Sequence, residues 1–196
     1  MNFTRIFVAV VFTSVLSAAV SAQTWKQDGA HSQVQFAVTH MVISEVMGNF
    51  KEFDVTLKQV NEDFAGSSLE ATIKTASINT ENEVRDKHLR SDDFFNAEKF
   101  PVITFKSTSF EKSGEKSYKI TGNLTIRDVT KPIVLDAKNT GQITDPSGSQ
   151  RAGFKATASI NRLDFGVKWN KAIEAGGFVV SDRVDLTLLM ELVKQK

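Results

Sequence analysis

Apolar and polar residues alternate with a period of two along most of the chain. Such alternation indicates β-strands that bury one face, because successive side chains of a strand point to opposite faces. One buried face per strand is typical of antiparallel sheets. The apolar positions of the predicted strands are Val34, Phe36 and Val38; Phe53, Val55 and Leu57; Leu69, Ala71 and Ile73; Ile103 and Phe105; Tyr118, Ile120, Leu124 and Ile126; Ile133, Leu135 and Ala137; Phe154, Ala156, Ala158 and Ile160; and Val184, Leu186, Leu188 and Met190.

Turn signals separate these segments, at 61–63, 113–115, 128–132 and 145–148. About eight strands joined by short turns close into one barrel, which is either filled by side chains or holds one small ligand. The sequence therefore predicts an all-β fold, a closed antiparallel β-barrel, and the state of its interior decides the function.

One charged, helical stretch around residues 80–96 interrupts the alternation. Thr80 and Glu83, three residues apart, form a capping-box pattern that predicts a helix through about Leu89. A cationic insert with an aromatic end between barrel strands predicts a lid over an apolar cavity. Lipid binding is the function that this arrangement favours.

The aromatic residues are divided unusually, with 15 Phe, one Tyr and two Trp. Phenylalanine offers aromatic surface without a polar group that needs a partner, which suits a dry interior. We predict a ligand tunnel lined by Phe36, Val38, Phe53, Ile73, Phe94, Phe95, Phe105, Leu124, Ile126, Phe154, Ile160, Phe165 and Leu186.

The N-terminus has the order of a secretory signal peptide: Arg5, an apolar run over 6–16, and small residues up to Ala22. We expect cleavage after Ala22, because signal peptidase requires small residues at the last and third-last positions before the cut. The apolar run is too short for a membrane span, which needs about 20 apolar residues. Residues 1–22 are thus a predicted signal peptide. Residues 23–196 have the length of one exported domain.

Charge and cysteine content exclude several classes. The 24 basic and 23 acidic residues nearly cancel, which argues against nucleic acid or an anionic membrane surface as the main partner. The absence of cysteine excludes thiol catalysis and cysteine metal sites. Polar outward positions and few Tyr and Trp argue against an outer-membrane barrel, so no stable membrane insertion is expected.

The histidines His31, His40 and His88 stand apart and form no metal-binding pattern. The sequence shows no nucleophile elbow and no phosphate-binding glycine loop, so we expect no catalytic residue, no metal and no cofactor beyond a bound lipid. Two alternatives stay open. One is a lipid-modifying enzyme with His88 or His31 as its base, and the other is a filled barrel that acts only as a protein-interaction module.

Three cationic residues of the helical insert, Arg85, His88 and Arg90, fall within about two helical turns. An arginine fork suits a carboxylate or phosphate head group. A charged helix between barrel strands fits most easily at an open end, so we assign these three residues to the tunnel mouth. Arg127 and Arg162 are the next candidates.

Several short motifs follow one another along the chain: Trp25, Asp28, His31-Ser32, Phe36, His40, Gly48 with Phe50, Ser77 with Thr80, Arg85-Asp86 with His88-Leu89, Asp93-Phe94-Phe95, Phe100-Pro101, Ile103-Thr104-Phe105, Gly122 with Leu124-Thr125-Ile126, Arg162 with Asp164-Phe165-Gly166-Val167, and Ser181-Asp182 with Val184.

The order and spacing of these motifs resemble the YceI-like, polyisoprenoid-binding family of bacterial periplasmic proteins over Trp25 to Glu191. The resemblance implies a lipocalin-like antiparallel barrel with a long amphiphile in its tunnel, and a carrier role in the periplasm. The implied ligands are polyprenyl phosphates, quinones, fatty acids or their amides. The ligand's identity and the oligomeric state, a homodimer included, stay open.

Overall fold

The computed structural model describes residues 22–174 and 176–196, so the predicted signal peptide lies, apart from Ala22, outside the described residues. The strands are β1 (Gln23–Gln27), β2 (Gln33–His40), β3 (Ser44–Phe50), β4 (Phe53–Gln59), β5 (Ser68–Lys74), β6 (Ile78–Asn79), β7 (Val102–Lys112), β8 (Ser117–Ile126), β9 (Val129–Thr144), β10 (Gln150–Asn161) and β11 (Val180–Lys194). One α-helix, α1 (Glu83–Arg90), and two 3₁₀ turns, Thr75–Ser77 and Arg162–Phe165, complete the described elements.

The strands form a closed antiparallel barrel of eight strands, as the alternation predicts. The ring runs β1-β4-β5-β7-β8-β9-β10-β11, and β11 closes it by pairing with β1. The other half of β11 pairs with β2, where Leu186 lies opposite Phe36. Strand β2 pairs in turn with β3, and β3 with β6. The apolar faces point inward, and they form one connected core.

Two local predictions were wrong. Helix α1 is capped by Asn82, whose side chain accepts a hydrogen bond from the Arg85 amide at 2.9 Å, and not by Thr80. The chain reverses at Glu81, which adopts a left-handed φ of 58°, so Thr80 stays on the strand side of the turn. The predicted turn at 128–132 is also shorter, because β9 already begins at Val129.

One end of the barrel, which we call the closed end, is sealed by the 60–67 loop. Phe64 enters from this loop, is 1% exposed, and packs on Trp25 and Phe154 at centroid distances of 5.6 and 5.1 Å. The Tyr118 hydroxyl fixes the loop by donating to the Asp63 carbonyl oxygen at 2.6 Å. Buried aromatic pairs of this kind stabilise a core beyond the area that they bury.

The opposite end, which we call the open end, is formed by the β2–β3 turn, by α1 and by the loop residues 166–174 and 176–179. These segments surround the inner faces of β2 and β11 where Val180 pairs with His40. The two ends are therefore built from different loops on the same strands, and Phe64 plugs the barrel at the closed end.

Candidate functional site

A cavity of about 690 Å³ lies inside the barrel above the aromatic plug. This volume falls within the range of roughly 300 to 1,000 Å³ that is usual for small-molecule sites. Inward-facing aliphatic and aromatic side chains of β2 to β5 and β7 to β11 form most of its wall. The barrel is therefore not filled by its own side chains.

Most of the predicted tunnel residues line this cavity. Phe53 and Phe165 do not. Phe53 is the first residue of β4 and packs against the core from the strand's end, while Phe165 lies in a 3₁₀ turn, where a period of two does not set the side-chain direction. The predicted residues that line the cavity are Phe36, Val38, Ile73, Phe94, Phe95, Phe105, Leu124, Ile126, Phe154, Ile160 and Leu186.

Sequence reasoning missed three aromatic residues of the cavity wall, Phe50, Phe110 and Trp169. Phe50 was detectable, because Val46 and Phe50 continue a period of two through Gly48 in β3. Trp169 lies in the loop after the second 3₁₀ turn, packed 5.2 Å from Phe94 between ring centroids, and no periodic pattern marks it.

Two glycines help to keep the cavity open. A Cβ on Gly48 would clash with the ring of Phe36, and one on Gly122 would clash with the ring of Phe105. Each ring therefore occupies the space over a glycine backbone on a neighbouring strand. Because the rings lie against the wall in this way, they cover backbone and leave the lumen unfilled.

Arg85 places a guanidinium at the cavity mouth. Its Nε donates to Thr80 Oγ1 and its Nη2 to the Thr80 carbonyl oxygen, both at 2.7 Å. Asp86 is 4% exposed, and its carboxylate Oδ1 accepts hydrogen bonds from the Thr80 backbone amide at 2.9 Å and from the Thr80 hydroxyl at 2.5 Å. Within the described residues, Arg85 Nη1 donates to no protein atom, and Arg85 lines the cavity.

His88 also reaches the cavity. Its Nε2 lies 2.8 Å from Asp93 Oδ2, which fixes the orientation of the ring. The imidazole stands edge-on to Phe94 and Trp169, each at a centroid distance of 5.0 Å. This packing places a polar ring among aromatic side chains of the cavity wall.

Arg90 does not line the cavity, in contrast to the mouth position assigned from the sequence. Its Nε donates to the Ala76 carbonyl oxygen and its Nη2 to the Ile78 carbonyl oxygen, both at 2.7 Å. The side chain therefore binds α1 to the segment before it. The reason is helical geometry, since positions 85 and 90 lie about 140° apart around a helix axis.

The two reserve candidates also bind backbone. Arg127 donates to the Phe94 carbonyl oxygen at 2.9 Å and does not line the cavity. Arg162 lines the cavity and is 5% exposed, and it donates to the carbonyl oxygens of Val167 and Trp169 at 2.7 and 2.9 Å. Burial lowers the pKa of the Arg162 guanidinium. Both arginines thus hold loops of the open end, which leaves Arg85 as the side chain best placed for an anionic head group.

Asp28, His31 and Glu191 bring their ligand atoms within 4.8 Å of one another, outside the cavity. Arg151 already supplies the positive charge there, with Nη1 at 2.7 Å from Asp28 Oδ2 and at 2.5 Å from Glu191 Oε1. Arg151 also binds Asp145 at 2.6 Å, so the cluster is an ion-pair network that ties β11 to the β9–β10 turn. Hydrogen bonds from Arg151 and His31 lower the pKa of Asp28 to about 2.

No helix of the described residues is long and apolar enough to cross a membrane.

The fold and its cavity define a lipocalin-like barrel, sealed at one end and hollow above the seal. The chain belongs to the YceI-like family, whose domain matches residues 25–192. It is 40% identical to Protein YceI of Escherichia coli O157:H7 over 190 residues, which is 97% of this chain and 95% of the relative.

Solved structures share the barrel. The YceI protein of Campylobacter jejuni is 37% identical, with a TM-score of 0.70 over 81% of this chain and 90% of that one. BcnA of Burkholderia cenocepacia, at 23% identity, has a TM-score of 0.74 over 84% of this chain and 98% of that one. A polyisoprenoid binding domain from Saccharophagus degradans, at 15% identity, has a TM-score of 0.60 over 87% and 98%. The last two show the fold alone.

Proposed function

We propose that the protein binds and carries a long-chain amphiphile of the isoprenoid or fatty-acyl class in its barrel cavity. The observation behind this proposal is the cavity itself, about 690 Å³ in volume, walled by apolar side chains and sealed at one end by Phe64. The domain from Saccharophagus degradans that is described as polyisoprenoid-binding has the same fold, which supports this class of ligand.

The cavity volume sets the scale of the ligand. A water-sized group occupies about 30 Å³, so a cavity of about 690 Å³ holds on the order of twenty chain carbons. A single acyl or isoprenoid chain has this size. We propose that its tail points to the closed end and that its head group lies at the open end.

The head group is proposed to meet Arg85. The guanidinium is already oriented by two bonds to Thr80, so little side-chain entropy is lost when Nη1 binds an anion. A phosphate or carboxylate is favoured over a neutral alcohol, because a charge-assisted hydrogen bond is stronger than a neutral one.

The proposed compartment is the periplasm, reached through the predicted signal peptide. Strand β1 begins at Gln23, so cleavage after Ala22 leaves every described strand intact. A barrel that shields an apolar chain from water suits transport of lipid across an aqueous compartment.

One observation favours a second candidate, a lipid-modifying enzyme. His88 lines the cavity and is hydrogen-bonded to Asp93 at 2.8 Å, which is how a base and its orienting carboxylate are arranged. The carrier proposal predicts instead that a bound lipid is recovered chemically unchanged.

Both candidates are tested by titrating delipidated protein with a polyprenyl phosphate and following Trp169 fluorescence, since this indole lines the cavity. We expect saturable quenching that is lost in Trp169→Phe, while Trp25, buried in the plug, serves as an internal reference. Mass spectrometry of the extracted lipid then separates a carrier from an enzyme. Absence of saturable binding for prenyl and acyl ligands alike would contradict the proposed function.

A further inference from the structure

Exposed apolar side chains gather around the open end of the barrel. Ile43, Val84 and Val42 are 87%, 82% and 66% exposed, and Phe178 and Met41 are 54% and 42% exposed. They come from three segments, which are the β2–β3 turn, the first turn of α1, and a hairpin described over 171–174 and 176–179, in which the Val179 amide donates to the Lys171 carbonyl oxygen at 2.9 Å. We call these five residues the apolar rim.

The tip of the rim adopts a strained backbone. Met41 and Val42 have φ angles of 49° and 67°, and the Ile43 amide donates to the His40 carbonyl oxygen at 3.2 Å. Three residues, 41–43, connect the paired strand ends His40 and Ser44. Consecutive left-handed residues in a hairpin turn are normally Asn and Gly, and a β-branched residue there is a conformational outlier. Because these side chains are exposed, core packing does not explain their presence. Strain that displays apolar side chains to solvent indicates a function for those side chains.

The rim is continuous with the cavity. Val84 is both exposed and part of the cavity wall, so one side chain spans the two surfaces. Val42 Cγ2 lies 3.1 Å from the position that a Cβ on Gly177 would take, so the tip packs on the hairpin that displays Phe178. The Met41 amide also donates to the carbonyl oxygen of Val179, which lines the cavity, at 2.9 Å. An apolar path therefore leads from the lumen to the rim.

We propose that the apolar rim docks on a lipid bilayer, so that the ligand passes between bilayer and cavity without crossing water. The proposal rests on the proposed lipid-binding function. A bilayer fits this surface because the rim consists of separate loop tips around an opening, each able to enter the interfacial layer. The formal charge of +1, with Arg5 in the predicted signal peptide, indicates docking by apolar burial and not by attraction to anionic lipid.

The test is flotation of the mature protein with phosphatidylcholine vesicles. We expect the wild type to float and Ile43→Asp to lower its partition coefficient roughly tenfold or more, since an apolar group is replaced by a charge that must stay in water. The matched control is Ile143→Asp, because Ile143 is 65% exposed on β9 near the closed end. The control should float like the wild type.

A second readout separates docking from ligand binding. Ile43→Asp should bind a fluorescent fatty acid in solution with unchanged affinity, while transfer of that fatty acid from vesicles slows roughly tenfold, in line with the weaker docking. Equal flotation of the two aspartate variants would overturn the proposal. A wild type that does not float with the vesicles would overturn it as well, and if such a protein bound another protein instead, the rim would be a protein-docking surface. Binding that requires anionic lipid and disappears in high salt would overturn it too. Flotation of the wild type without uptake of any lipid would support docking of the apolar rim on the bilayer and contradict the proposed carrier function.

Discussion

The two ends of the barrel use the same strands for opposite purposes. At the closed end, Phe64 turns inward from its loop and is 1% exposed, while at the open end Ile43 turns outward and is 87% exposed. The difference does not come from the strands, whose inward faces are mostly apolar. Loops decide whether an end of the barrel is filled, and here they concentrate packing at one end and access at the other.

The cationic side chains repeat this contrast. At the closed end, Arg151 binds three carboxylates, those of Asp28, Asp145 and Glu191. At the open end, Arg162 binds backbone carbonyl oxygens, and Arg85 keeps one nitrogen available toward the cavity. Charge at the closed end is used for stability, whereas charge at the open end arranges loops and offers a contact for ligand.

Removing the aromatic plug should have the largest effect. Phe64→Ala is expected to lower the free energy of unfolding by about 3 to 5 kcal/mol, because the ring is fully packed. Phe36→Ala is the matched control in the cavity wall and should cost only about 1 to 2 kcal/mol, since one side of that ring already lacks protein contacts. Urea denaturation followed by circular dichroism measures both values. Equal losses would show that the two regions are packed alike.

Filling the cavity should separate binding from stability. Ala156 lies on the cavity wall and is buried. In Ala156→Phe the new ring displaces roughly four chain carbons, so affinity for a long-chain ligand should fall by about 3 kcal/mol at about 0.8 kcal/mol per methylene. Isothermal titration measures the affinity, and the urea midpoint should stay near the wild-type value. A variant with full affinity would place the ligand outside the cavity.

Replacing each arginine of α1 by glutamine should show which one contacts the ligand's head group. Arg85→Gln is expected to weaken the binding of a prenyl phosphate by about 1 to 3 kcal/mol and to leave the affinity for the neutral prenol nearly unchanged. Arg90→Gln is the control on the same helix, because it loses two bonds to backbone and should reduce stability without changing the preference for phosphate. An equal loss for both ligands in Arg85→Gln would mean that Arg85 only supports the helix.

Lowering the pH should destabilise the ion-pair network around Arg151 at the closed end. Asp28 has a folded-state pKa of about 2, below its usual value of 3.8, and that of Asp145 is lowered as well, by bonds from Ser147 and Arg151. A lowered folded-state pKa adds stability above the unfolded pKa, and this stability is lost as pH falls from about 4 to about 2. Urea midpoints measured across this range should drop in the wild type, and the drop should be smaller in Arg151→Gln. An identical acid profile would show that the network does not couple to folding.

The sequence predicted the walls of this molecule better than its ends. Alternation through Phe36, Phe105 and Leu186 placed these side chains in the cavity, because strand geometry ties face to position. The positions of Trp169 and Phe165 were not predicted correctly, because loops and 3₁₀ turns have no period of two that sets the side-chain direction. The plug was equally hidden, because nothing near Phe64 shows that a loop residue turns inward.

Helical spacing alone did not reveal the roles of the cationic residues. Arg85 and Arg90 look alike in the sequence, and their different roles depend on which carbonyl oxygens the fold brings near each guanidinium. The helix cap at Asn82 depended likewise on the left-handed residue before it, Glu81, which nothing in its own identity indicates. Ligand contacts at these positions stay predictions.

The most direct test is native mass spectrometry of the mature protein purified without detergent from its own host, followed by solvent extraction of the same sample. Our account predicts a mass above that of the 23–196 chain, and recovery of a matching long-chain lipid, with the shift reduced in Ala156→Phe. A spectrum of apoprotein alone, combined with failure of added prenyl phosphates and fatty acids to bind, would contradict the account.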